Sequence, residues 1–123
     1  MAVRGKAGER WKKLRTFALA LPEAYEDFPW GDRVVKVNKK IFIFMGDGGA
    51  SEQQRIGIKL SEAHDFALSI PGAAPVGYGL GRAGWVSIPI EADSLSVALL
   101  REWIEESYRL VAPKRLLVKL AAR

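Results

Sequence analysis

Val34-Val35-Lys36-Val37-Asn38-Lys39-Lys40-Ile41-Phe42-Ile43-Phe44-Met45 decides the fold of this chain. Two β-branched and aromatic runs flank a short polar turn, which is the signature of a hairpin. Val34 to Val37 reads as one strand and Ile41 to Met45 as its partner. Side chains alternate across a strand, so Phe42 and Phe44 are expected on one side and Ile41, Ile43 and Met45 on the other. Both sides are apolar, which places the second strand in the middle of a sheet.

Toward the C-terminus, residues 46–54 read as a loop of glycines and polar residues. Arg55 to Leu60 alternates again, with Ile56, Ile58 and Leu60 inward and Arg55 and Lys59 outward, a third antiparallel strand. Ser61 is the expected cap of a helix running to about Ser69 and burying Ala63, Phe66, Ala67 and Ile70. Pro71-Gly72 breaks it. Gly77 to Leu80 reads as a weak strand and Trp85 to Ile90 as a stronger one, with Pro89 at an edge or strand end. Asp93 or Ser94 then caps a long helix whose buried stripe is Leu99, Leu100, Trp103, Ile104, Ser107, Tyr108 and Val111. Pro113 ends it, and Leu116 to Leu120 adds a last helical turn.

Toward the N-terminus, residues 22–32 form an acidic, aromatic linker. Trp11, Leu14, Phe17, Ala18 and Leu21 have helix spacing from Glu9 to Leu21, closed by Pro22. Residues 1–8 read as a frayed basic tail. The order α-β-β-β-α-β-β-α with short links implies an α+β fold of two layers, α-β(3)-α-β(2)-α, with helices on one face of an antiparallel sheet.

The 123 residues suit one domain, 49% of them apolar, and the chain has no cysteine. Disulfides, thiolate metal sites and cysteine nucleophiles are therefore excluded. No apolar run reaches the ~20 residues that span a bilayer, so no membrane role and a cytoplasmic location are expected. The formal charge of +5 is uneven. Residues 1–15 carry six Lys/Arg against one Glu, and residues 111–123 carry four Lys/Arg and no acid, while the middle is net acidic.

Gly79-Leu80-Gly81-Arg82-Ala83-Gly84 spells GxGxxG. A dinucleotide needs that string to open a helix, whose N-terminus receives the pyrophosphate. A strand follows here, so the string is expected to be a hairpin loop and no cofactor is assigned. His64 stands alone, without a second histidine or a cysteine to complete a metal set, and no metal is assigned. Glu23, Glu26, Asp27 and Asp32 lack the histidine or serine that would make them catalytic; turn-making and solvation are their expected role, with pairing to Lys36, Lys39 or Lys40 across the fold as the alternative. No nucleophile–base pair appears, so the chain is expected not to be an enzyme.

Several short motifs then carry a resemblance by their order. They are Leu21-Pro22, Phe28-Pro29-Trp30-Gly31, Val35-Lys36-Val37 before Lys40-Ile41-Phe42, Ile58-Lys59-Leu60, Gly77-Tyr78 through Trp85-Val86, and Ser107-Tyr108 with Leu110-Val111 and Lys114. In that order they resemble the MmcQ/YjbR-like family of small bacterial proteins. The resemblance implies a two-layer fold similar to secretion chaperones and described as double-winged, and with it a DNA-binding role. It supplies no catalytic set. Where relatives often carry His, Asn and Lys before the tryptophan, this chain has the glycine-rich loop, and only Arg82 keeps the basic character.

Two functions are carried forward. In the first, Arg10, Lys12, Lys13 and Arg15 on the first helix, with Lys36, Lys39, Lys40 and Arg82 on the hairpin loops, attract DNA phosphates. Such binding is weak, salt-sensitive and mostly sequence-independent. In the second, the sheet face without helices offers Trp30, Tyr78, Trp85 and Phe42 or Phe44 to a protein partner, a second copy in a homodimer, or a small ligand. The two separate on whether the cations share one face or an apolar concavity lies opposite them.

Overall fold

The computed structural model describes residues 5–29, 32–46, 54–77, 79–90 and 95–122. They form four α-helices and a six-stranded sheet. The elements run α1 Gly5–Leu19, β1 Tyr25–Asp27, β2 Arg33–Val37, β3 Lys40–Gly46, β4 Arg55–Lys59, α2 His64–Leu68, β5 Ala74–Pro75, β6 Trp85–Pro89, α3 Val97–Val111 and α4 Lys114–Ala121. A 3₁₀ turn, Leu80–Ala83, joins β5 to β6. The spatial order is β1-β2-β3-β4-β6-β5, and every pairing is antiparallel.

Register divides the sheet into two rows of side chains. Val35, Ile43, Ile58 and Val86 lie opposite one another in turn, and all are fully buried. They face the helices in one core with Leu14 and Ala18 of α1, Leu100, Trp103, Ile104 and Tyr108 of α3, and Leu116 and Leu120 of α4. The second row is Val34, Phe44, Gly57, Ser87 and Ala74. It belongs to the opposite face.

The hairpin forms as its sequence predicts, with a tight turn in which Asn38 and Lys39 both take positive φ. Its face assignment needs one correction. Phe42 and Phe44 do not share a side. The partner shift between Val35 and Lys36 marks a bulge in β3, which turns Phe42 toward the helices. There Phe42 meets Tyr108 edge-on at 5.3 Å, while Phe44 meets Trp85 edge-on at 5.2 Å. Period-two reading fails at a bulge because two residues oppose one.

Other boundaries move for identifiable reasons. Helix α1 starts at Gly5, so residues 5–8 are helical rather than a tail. The acidic linker supplies β1, an edge strand that the acids obscured. Glu26 of β1 accepts from Arg15 at 2.5 and 2.9 Å and from Arg33 at 3.1 Å. Asp27 pairs with Lys36 at 2.7 Å. The expected pairing with Lys36 forms at Asp27, and with the two arginines on Glu26 these acids fasten the edge strand laterally.

Helix α2 begins three residues after Ser61, which is not its cap. Glu106 of α3 reaches across instead and accepts from the backbone N–H of Ser61 at 2.7 Å and of Ala63 at 3.3 Å. An acceptor from a distant helix removes the need for a local one. Phe66 is 59% exposed rather than buried, although its ring lies edge-on to Trp103. The cap of α3 is Ser96, whose Oγ accepts from Leu99 N–H at 3.0 Å. The expected Gly77–Leu80 strand is instead the shorter β5, three residues earlier.

The GxGxxG string is a hairpin loop. Gly84 has φ +100°, and a Cβ there would stand 2.5 Å from the Leu60 carbonyl oxygen. The Gly84 carbonyl in turn accepts from Leu60 N–H at 2.9 Å. A Cβ on Gly81 would meet that of Pro75 at 2.8 Å. These glycines close the β5–β6 connection against the sheet, with no helix N-terminus behind them.

Candidate functional site

The second row of the sheet forms the floor of a groove of about 970 Å³. Phe44 and Gly57 lie along it, and Ser87 continues it toward β5. Ala74, Pro75, Val76 and Leu80 close one side, because β5 and the 3₁₀ turn fold beside β6. Gly57 leaves space between Arg55 and Lys59 on the outward side of β4. A Cβ there would already touch the Phe44 ring at 3.2 Å.

Arg55 is the polar feature of this groove. It is half-buried, and its Nε donates to Ser87 Oγ at 2.8 Å. Its Nη2 donates to the carbonyl of Gly72 at 2.7 Å and of Ser87 at 3.2 Å. Asp32, exposed, lines the groove too, but no ion pair joins it to Arg55.

The cations expected to meet DNA are distributed as follows. Arg10 donates to the carbonyls of Ile90 at 3.0 Å and Leu95 at 2.6 Å, joining α1 to the start of α3. Arg15 and Lys36 are held by Glu26 and Asp27. Lys12 and Lys13 are exposed on the helix layer, where a shallow depression also takes in Phe17 and Arg101. Lys39 and Lys40 are exposed at the β2–β3 tip, and Arg82 is exposed on the 3₁₀ turn. Antiparallel order puts that tip, the end of β4 and the start of β6 at one end of the sheet, so Lys39, Lys40 and Arg82 share an end. Lys12 and Lys13 belong to the helix layer instead.

Of the aromatics expected at a ligand surface, Trp30 and Tyr78 lie outside the described residues. Trp85 is buried, 7% exposed, and supports the groove from behind Phe44 rather than presenting itself. His64 is part of a second depression with Lys59, Arg82 and Asp65, and its Nδ1 lies 3.2 Å from Asp65. Among the described residues no group of three metal-ligating side chains converges, and no helix is long and apolar enough to cross a membrane.

Three acids have depressed pKa values, and all three are fasteners. Hydrogen bonds from Arg15, then Arg33, hold Glu26 below its ordinary value. Arg115, with Lys119, does the same for Glu23, and Lys36 with the Phe28 N–H does it for Asp27. Glu23 has φ +59° and ties the turn after α1 to α4. Three of the loop's four acids are thus fasteners, and Asp32 lines the groove instead.

Sequence reading missed Arg55 as a site residue. The available signal was Gly57, a glycine inside an otherwise regular strand, which marks a close approach or a vacancy.

Fold and site together define a two-layer α+β protein whose helices cover one sheet face and whose other face carries a groove. The YjbR family model matches residues 19–110, and the chain belongs to that family. A Deinococcus radiodurans protein, DR2400, described as a DUF419 domain, is similar in structure at a TM-score of 0.70 and 24% identity. That match covers 89% of this chain and 86% of the other. A Pseudomonas syringae protein is similar at a TM-score of 0.64 and 18% identity, covering 81% of this chain and 97% of the other. At these identities the likeness concerns the fold. No curated protein matches the chain.

Proposed function

We propose that this YjbR-family chain is a binding module rather than an enzyme, and that it takes a small apolar ligand in the open-face groove. The observation that supports this most is the groove itself. Its volume of about 970 Å³ lies at the upper end of the range for small-molecule sites, and its walls are mostly apolar with few polar groups. An amide-resolved NMR titration with apolar small molecules tests the reading. Shifts should concentrate at Gly57, Ser87 and Val76 and spare α1. If no compound moves those amides, or if they move only on self-association or with a peptide, the small-ligand reading is wrong.

Contact with DNA phosphates is the second reading, favoured by Lys39, Lys40 and Arg82 at one end of the sheet without acidic partners among the described residues. Arg10, Arg15 and Lys36 already have bonds within the protein, so few cations remain and affinity should be low and steeply salt-dependent. Binding to a mixed-sequence duplex over a salt series, beside Lys39→Glu/Lys40→Glu, decides it. Absence of binding at low salt removes this reading.

A further inference from the structure

We infer that the ligand of the groove carries a carboxylate and that Arg55 holds it. The inference rests on the groove reading and adds the chemical class of the ligand. A guanidinium has five N–H donors and cannot lose its charge. Arg55 uses Nε and Nη2 on Ser87 and on the carbonyl of Gly72, which fixes the plane of the fork. Among the described residues Nη1 has no hydrogen-bond partner, and none of their carboxylates pairs with Arg55. Carbonyl and hydroxyl oxygens orient the cation without neutralising it.

The contrast within the molecule is direct. Arg15 and Arg33, also half-buried, share the carboxylate of Glu26. A partly buried guanidinium offers an entering anion a charge-assisted bond with less competition from water than a fully exposed one. Here the remaining open direction is a groove.

Charge and shape narrow the anion. A single guanidinium with one free nitrogen suits one negative charge. Asp32, on the same groove, opposes a second, so a monocarboxylate fits better than a phosphate dianion. Phe44, Pro75, Val76 and Leu80 offer contact to a hydrocarbon body. The ligand class is therefore a free small-molecule carboxylate with an apolar chain or ring.

The test uses decanoate and decan-1-ol, below their aggregation limits, against the full chain, Arg55→Met, Arg55→Lys and Ala74→Trp. Amide shifts give the affinities, and circular dichroism checks folding. Wild type should prefer decanoate over decanol by about tenfold, as a charge-assisted bond to a fixed guanidinium implies. Arg55→Met should abolish that preference, so that decanoate binds no tighter than decanol. Arg55→Lys keeps the charge without the fork and should reduce the preference several-fold, which serves if the Met variant is unfolded. Ala74→Trp should weaken both compounds. Equal binding of the two by wild type, or a preference that survives both Arg55 variants, overturns the carboxylate anchor and leaves the groove standing. If neither compound shifts a groove amide, both the anchor and the groove reading fall.

Discussion

The two faces of the sheet are made by the same strands and differ in what they leave unfinished. On the helix face the row Val35, Ile43, Ile58 and Val86 has no water contact, and the hydroxyls that reach it are bonded, although Arg33 Nε nearby is buried without a partner. Ser107 Oγ donates to the Phe42 carbonyl at 2.5 Å and accepts from Lys59 N–H at 2.9 Å, so one buried hydroxyl joins α3 to two strands. Tyr108 O–H donates to the Pro22 carbonyl at 2.7 Å. On the open face Phe44 is half-buried, Gly57 contributes no side chain, and Arg55 has no acidic partner among the described residues. A protein of this size needs one completed face for stability. The other face is free to be incomplete, and incompleteness is what a ligand can use.

The largest break in this comparison is Tyr108→Ala on the closed face. It removes a fully buried ring, its edge contact with Phe42 and the bond to Pro22, and should cost about 3–5 kcal/mol, the usual range for a large buried aromatic. Denaturant unfolding measures it. Gly84→Ala follows, at about 2–4 kcal/mol, because a positive φ and a backbone contact at 2.5 Å act together. Its effect should extend to the groove, since Gly84 fixes the connection that forms one wall. A melting point within error of wild type would mean that the turn has a relaxed alternative.

Glu26→Gln comes third. It leaves Arg15 and Arg33 without their carboxylate and should cost about 1–2 kcal/mol at neutral pH, given that the triad is only partly buried. The sign of its pH dependence follows from the depressed pKa. The contribution of Glu26 is fully present above its ordinary value of 4.5 and is lost as pH falls through the lower folded value. Glu23 and Asp27 act in the same direction. Wild type should therefore lose melting temperature below about pH 4.5, while the gap to Glu26→Gln narrows there. A gap that is constant from pH 7 to pH 3 would remove Glu26 from the account of acid stability.

Much of the closed face was legible from residues alone. The α3 stripe through Leu100, Trp103, Ile104, Ser107 and Tyr108 is a 3.6-residue period, and the hairpin around Asn38 and Lys39 is a two-residue period with a turn. Local periodicity survives folding. What sequence did not disclose depends on distant partners. Glu106 replaces Ser61 as the acceptor at α2 from 45 residues away. The bulge at Phe42 is set by register with β2. The groove arises because β5 and the 3₁₀ turn lie beside β6, an arrangement that no single segment encodes. Arg55 looked like an outward solvated cation for the same reason: its environment is built by Gly72 and Ser87, distant along the chain.

The smallest stability effect gives the sharpest contrast. Ala74 is exposed on the edge strand and borders the groove. Replacing it by Trp buries no unsatisfied group and breaks no described bond, so stability should change by no more than about 0.5 kcal/mol. Ligand affinity should nonetheless fall by about tenfold or more, because the indole occupies volume that the ligand needs. On the closed face a change in volume registers first as lost stability, whereas here it would register as lost binding at nearly constant stability. Melting temperature and NMR titration on the same Ala74→Trp sample separate the two. Unchanged affinity with unchanged stability would show that the open face is merely uncovered surface.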